Sequence, residues 1–216
     1  MEPIGIVKGG TLAIKAGATL YDFYNSYKKD RYGDFIQCLD VTYESGSIEA
    51  RNNLNEFIEN PTGRAILGER LESIMSTDSK RVLMIQALLL CKDRDCWPGE
   101  AIEKRIIFAL QNMTDETINI FQFCLRLRKI ESSLNYNFLI FNQETDLSSL
   151  DQISDRRVMV IIEDLKRRGL FLPDIRDNGG MNFYQPEEQS WDIVFGITEE
   201  AEALSKLINK AELLLT

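Results

Sequence analysis

The sequence predicts a mainly α-helical protein, a helical bundle followed by a smaller α+β part. Three observations carry this. Apolar residues recur at three- and four-residue spacing from Leu54 to Leu90, which is the period of a half-buried helix. Capping residues stand where those patterns begin. The last third changes order: a helix over residues 155–168 ends at Gly169, an apolar pair of segments between Leu170 and Gly196 turns at Asp177-Asn178-Gly179-Gly180, and a closing helix starts at Thr198-Glu199-Glu200-Ala201. Helix, β wing and helix in that order resemble a winged-helix domain. The expected organisation is a helical domain over residues 1–112, with a Gly/Ala-rich N-terminal helix, and a winged-helix-like domain over residues 113–216.

The elements follow in order. Residues 3–43 read as one long helix or two joined ones, small-residue-rich at first and then aromatic, with Phe23, Tyr24, Tyr27, Tyr32 and Phe35. Glu44-Ser45-Gly46-Ser47 is a break, and Ser47 is a good N-cap for a helix over 48–60. Asn60-Pro61-Thr62-Gly63 is a turn before a helix over 64–76. Thr77-Asp78-Ser79 caps a strongly apolar helix over 80–92, which belongs at the centre of a bundle. Pro98 suits the start of a helix over 99–111, because its missing N–H has no helical partner there. Thr114 caps a helix over 115–129. Asp115 and Glu116 complement its positive end, and Arg126, Arg128 and Lys129 its negative end. Residues 137–141 read as a short strand and 147–153 as a short helix, the second of the winged-helix order. In the wing, Trp191 and Phe195 alternate and pack inward on the closing helix.

Composition narrows the chemistry. The chain of 216 residues has 44% hydrophobic and 27% charged residues, ordinary for a globular protein. Its net charge of −9 disfavours a general nucleic-acid coat, because phosphate affinity comes from Lys and Arg. With no histidine, Ser-His and Cys-His nucleophile pairs and most catalytic zinc sites are excluded. Cys38, Cys91, Cys96 and Cys124 read as reduced thiols; Cys91 and Cys96 alone do not make the two close pairs of a zinc knuckle. There is no phosphate loop, since Gly63 to Gly68 lacks the Gly-Lys-Ser/Thr ending. Asp93/Asp95 alternate with Lys92 and Arg94 as a solvated loop would. No catalytic residue, cofactor or metal is expected. Met1-Glu2-Pro3 lacks a basic leader region and no long uncharged apolar span follows, so a cytoplasmic protein is expected.

Two surfaces remain as candidates. Gly5, Gly9, Ala13 and Gly17 are each four apart. On a helix they form a flat stripe suited to close helix packing, within the chain or in a homo-oligomer. Because Ile4, Ile6, Val7, Leu12, Ile14 and Leu20 surround the stripe, residues 4–24 also suit a membrane surface. The second surface is the outward face of the helix over 155–168, where Arg156, Arg157 and Arg167 are the candidate DNA contacts. Glu163 and Asp164 share that face and Pro186-Glu187-Glu188 makes the wing acidic. Residues 151–180 carry six acidic and six basic residues. Charge therefore disfavours DNA and favours a protein partner.

The opening Lys8-Gly9-Gly10 through Leu20, the charged aromatic helix after it, the Thr77-Asp78-Ser79-Lys80-Arg81 helix start and the C-terminal wing together resemble the broad group of bacterial abortive-infection alpha-like and prophage-associated proteins. The resemblance covers about half of the chain. It implies a bacterial or phage context and a link to phage resistance, with no active-site motif to carry over. The expected function is a non-enzymatic, protein-binding regulatory or defence-associated adaptor. The alternatives are a winged-helix DNA-binding regulator and a membrane-associated effector acting through residues 4–24.

Overall fold

A computed structural model describes residues 12–59, 70, 74–75, 77–92, 94–130, 138–150, 152–174 and 191–216, with only the helical backbone for 12–27, 57 and 58. Seven helices and four strands are described. They are α1 (Leu12–Ser45), α2 (Ile48–Glu59), α3 (Lys80–Cys91), α4 (Glu100–Leu110), α5 (Asp115–Cys124), β1 (Lys129–Ile130), β2 (Phe138–Asn142), α6 (Asp155–Arg167), β3 (Phe171–Pro173), β4 (Asp192–Ile197) and α7 (Glu199–Leu215). The molecule is mainly helical with one small antiparallel sheet, as its sequence predicts.

α3 is the centre. Ten of its twelve residues are buried, and α1, α2, α4 and α7 all pack against it. A helix apolar on every side has to be surrounded, and this one is. It begins at Ser79, whose hydroxyl accepts from the Val82 N–H at 3.2 Å. Phe35, Cys38 and Thr42 form the buried stripe of α1. Thr42 turns its hydroxyl back to the Cys38 carbonyl at 2.8 Å, so its polar group is satisfied inside the core. Leu204, Leu207, Ile208 and Ala211 are the buried ridge of α7.

α1 runs unbroken through its 34 described residues and stops at Gly46. A Cβ there would stand 2.8 Å from the Thr42 carbonyl oxygen, so only glycine allows so sharp an exit. Ser47 then caps α2 through the Ala50 N–H at 3.1 Å. Arg51 reaches back to the last carbonyls of α1, Tyr43 at 2.8 Å and Glu44 at 2.6 Å, where a cation meets the negative helix end. Of the helix expected over 64–76, only Arg70, Ile74 and Met75 are among the described residues, and all three are helical.

Three expectations need correction. The helix expected over 99–111 begins one residue later: Gly99 is its N-cap, at φ +92°, and α4 starts at Glu100. α5 ends at Cys124 rather than at 129, and Lys129 lies in β1. Leu125 is the C-cap, and the Arg126 and Leu127 N–H groups bond back to the Phe123 and Cys124 carbonyls at 3.0 and 3.1 Å, so a tight turn closes the helix before β1. The basic residues therefore do not complement the helix end. Finally, 147–153 contains no described helix. Leu150 N–H bonds to Leu147 O at 2.9 Å and Ile153 N–H to Leu150 O at 2.8 Å, which makes two successive tight turns.

The strand order is β1-β2-β4-β3, all antiparallel. Phe138 pairs with Gly196 and Asn142 with Asp192, while Phe171 pairs with Ile197. Pro173 sits in the outer strand β3, where its missing N–H costs no ladder bond. Phe171 stacks on Phe195 with centroids 4.5 Å apart and on Phe121 at 5.7 Å, tying the sheet to α5. Phe195 is buried as expected; Trp191 lies half-buried just before β4, against Phe141 at 5.3 Å. Buried residues on both sides of position 112 belong to one apolar cluster. The turn at 177–180 and Pro186-Glu187-Glu188 lie outside the described residues.

Candidate functional site

The small-residue stripe lies largely beyond what is described. Gly5 and Gly9 precede Leu12, and Ala13 and Gly17 fall in the helical backbone of α1. The same holds for most of residues 4–24. Among the described residues, no helix is long and apolar enough to cross a membrane.

α6 is positioned by its cap and its core face. The Ser154 hydroxyl accepts from the Arg157 N–H at 3.4 Å, and Val158, Ile161, Ile162 and Leu165 are buried. The outward ridge holds Arg156, Val160, Glu163 and Arg167, all exposed, with Val160 60% exposed. Most of the charge on this helix is internally matched. Glu163 accepts from Lys166 at 2.7 Å and Asp164 from Arg168 at 2.6 Å. Arg157 grips Glu116 of α5 with two nitrogens, Nε at 3.0 Å and Nη2 on the other oxygen. This fork holds the Glu116 carboxyl below its ordinary range. Arg156 and Arg167 make no ion pair among the described residues. The three arginines read from the sequence therefore separate into one that is committed and two that are open.

Arg168 is the C-cap residue of α6. It also leaves its own helix. Its Nη1 donates to the carbonyls of Ala109 at 2.7 Å and Gln111 at 2.5 Å, at the end of α4 whose carbonyls lack helical partners. Beside it the chain turns through Gly169, at φ +75° with open space where a Cβ would stand. Thr198 caps α7 through the Ala201 N–H at 3.1 Å, and its hydroxyl lies 2.9 Å from the Leu170 carbonyl.

These contacts shape a surface groove of about 290 Å³ lined by Lys104, Arg105, Phe108, Arg168, Gly169 and Glu200. Phe108 is 61% exposed, because it lies off the Glu103, Ile106 and Leu110 stripe that α4 buries. Arg105 Nη1 bonds Glu200 at 2.6 Å, with the arginine 72% and the glutamate 11% exposed. Burial pushes the Glu200 carboxyl up, but its own backbone N–H, Arg105 and the Thr198 hydroxyl outweigh that and hold it below the ordinary value. The sequence reading missed this groove. The signal was an aromatic off the apolar face of α4 with Lys104 and Arg105 one turn before it.

A second polar cluster is less exposed, with the Arg81 side chain 19% accessible. Arg81, at the start of α3, bonds Asp115 Oδ1 at 2.9 Å, the Asp115 carbonyl at 3.1 Å, Asn119 at 2.8 Å and Glu212 of α7 at 3.2 Å. Ser79 adds a 2.6 Å bond to Asp115. Asp115 thus does more than complement a helix end: it joins α3 to α5. In a third cluster, the buried Glu103 accepts from Arg70 and, at 2.8 Å, from the Trp97 indole. Both carboxylate oxygens are used, which a buried charge requires.

None of the four cysteines forms a disulfide among the described residues, and Cys38, Cys91 and Cys124 are buried. Burial pushes the Cys124 thiol far up, which makes it inert. No group of three potential metal ligands occurs among the described residues. No protein-family model, curated protein or solved structure matches the chain.

Proposed function

We propose that the protein is a non-enzymatic adaptor that works by binding another protein, and that its C-terminal part is a winged-helix-like contact module. The domain reading is supported by the pairing of β2, which precedes α6, with β4 and of β4 with β3, beside the capped α7. The position of a second helix is taken by the two turns of 147–153. The function rests on one observation. Three of the five cations from Arg156 to the C-cap Arg168 are spent on carboxylates of the protein itself: Arg157 on Glu116, Lys166 on Glu163 and Arg168 on Asp164. A helix that neutralises phosphates leaves its cations open. The remaining open charge is sparse, and Val160, exposed between Arg156 and Arg167, suits a protein surface. A role in phage resistance rests on the sequence resemblance alone.

A second reading has a specific observation behind it. Arg156 and Arg167 are exposed on one ridge and open among the described residues, so a DNA-binding regulator using them remains the alternative.

Affinity purification of the full chain from nuclease-treated extract of its native host separates the two. A stoichiometric protein that survives nuclease supports the adaptor. Nucleic acid alone, with a salt-dependent gel shift lost in Arg156→Ala/Arg167→Ala, overturns it in favour of the regulator.

A further inference from the structure

Resting on the adaptor reading, we propose that the groove between α4, the α6–β3 turn and the start of α7 is a docking site for a partner segment that presents an apolar side chain flanked by carboxylates. The occupant follows from charge and shape. The lining carries three cations, Lys104, Arg105 and Arg168, against one carboxylate, Glu200, in a chain whose net charge is −9. The cations differ in what they have left to give. Arg168 has spent its Nε on Asp164 and its Nη1 on two carbonyls. Lys104 is exposed and has no ion pair among the described residues. Arg105 has one nitrogen on Glu200 and presents the rest of its fork, which fits a carboxylate. Glu200, mostly buried and held by its cap, is the positioning residue that keeps Arg105 beside Phe108. Phe108 stands one turn from both open cations, so an apolar side chain laid on its ring brings neighbouring carboxylates within their reach. The size points the same way. About 290 Å³ is at the lower edge of small-molecule pockets, roughly 300–1,000 Å³, and its walls are open to solvent. That fits one or two side chains of a larger partner. A nucleic acid would put a phosphate at every step into the field of a strongly anionic chain; a short peptide carries only a few charges.

The test is fluorescence anisotropy with the full chain and three labelled probes: the peptide Glu-Asp-Phe-Asp-Glu, its counterpart Lys-Lys-Phe-Lys-Lys, and a short oligothymidine. The acidic peptide is expected to bind most tightly and to weaken with salt. Lys104→Glu and Phe108→Ser, both at exposed positions, are each expected to cost about tenfold in affinity with unchanged melting. If Phe108→Ser shifts the melting, Lys104→Glu decides. Equal binding of the two peptides, no binding of either, tighter binding of oligothymidine, or wild-type affinity in Lys104→Glu overturns the docking site. The adaptor reading is tested separately. Should both variants still capture the host partner that the wild type captures, the groove is wrong and the adaptor stands; should the wild type capture none, the adaptor itself fails.

Discussion

The Arg81 and Arg105 clusters are built from the same chemistry, an arginine of the helical half meeting a glutamate of α7, and they end in opposite states. Arg81 is 19% exposed at its side chain and meets Asp115, Asn119 and Glu212 at once. Arg105 is 72% exposed and, among the described residues, bonds Glu200 alone. The first closes a seam between three helices. The second leaves donors, an aromatic ring and a groove beside it. The contrast teaches that charge pairing in this fold does two jobs, and that the number of donors already used tells which job an arginine has.

Perturbations of decreasing size test that contrast. Arg81→Met removes the bonds from α3 to α5 and α7 at once and leaves Asp115 and Glu212 without their shared cation. It is expected to lower unfolding free energy by about 2–3 kcal/mol, as charged hydrogen-bond networks do, in urea titration. Ser79→Ala loses both the α3 cap and the Asp115 bond, and about 1–2 kcal/mol is expected by the same measurement. At the open cluster the effects shrink. Arg105→Met is expected to cost under about 1 kcal/mol, but to change the acid response. The folded carboxyl of Glu200 lies below its ordinary value of 4.5. Its contribution is therefore complete above that pH and is lost as pH falls through the folded value. Without Arg105 the downward pull weakens while burial persists, so the fall in melting temperature on acidification becomes shallower. Glu116, held down by Arg157, keeps its own share of that fall and serves as the internal control. Phe108→Ser is the smallest: within roughly 0.5 kcal/mol of wild type. A loss as large as that of Arg81→Met would mean that Phe108 is structural and the contrast false.

What the sequence made legible follows the range of the interactions. Ser47, Ser79, Thr114 and Thr198 cap the helices expected of them, because a cap is a bond between residues three apart beside an apolar period. The strand expected over 137–141, found at Phe138–Asn142, and the burial of α3 are read in the same local way. The end of α5 was not legible. Leu125 and Leu127 continue the helical spacing on paper, but the chain tightens into a turn there and only Lys129 and Ile130 pair with β2. The candidate site was less legible still. Arg156 and Arg167 look the same as Arg157 on paper; only the fold brings Glu116, 41 residues away, against one of them. The groove gathers α4, the end of α6 and the start of α7, and Arg105 meets Glu200 across 95 residues, a separation at which composition and periodicity carry no information.

The chain has two tryptophans, and their surroundings differ as strongly as the two arginines do. Trp97 donates its indole N–H to the buried Glu103 and lies under the Lys92 ammonium, 5.3 Å from the ring centre. Trp191 rests on Phe141 at the entry to β4. One indole therefore reports the electric field around the helical half, and the other reports the apolar packing of the sheet. Intrinsic emission gives each half its own spectroscopic signal without a label, and a tryptophan-to-phenylalanine change at either position leaves the other half visible alone.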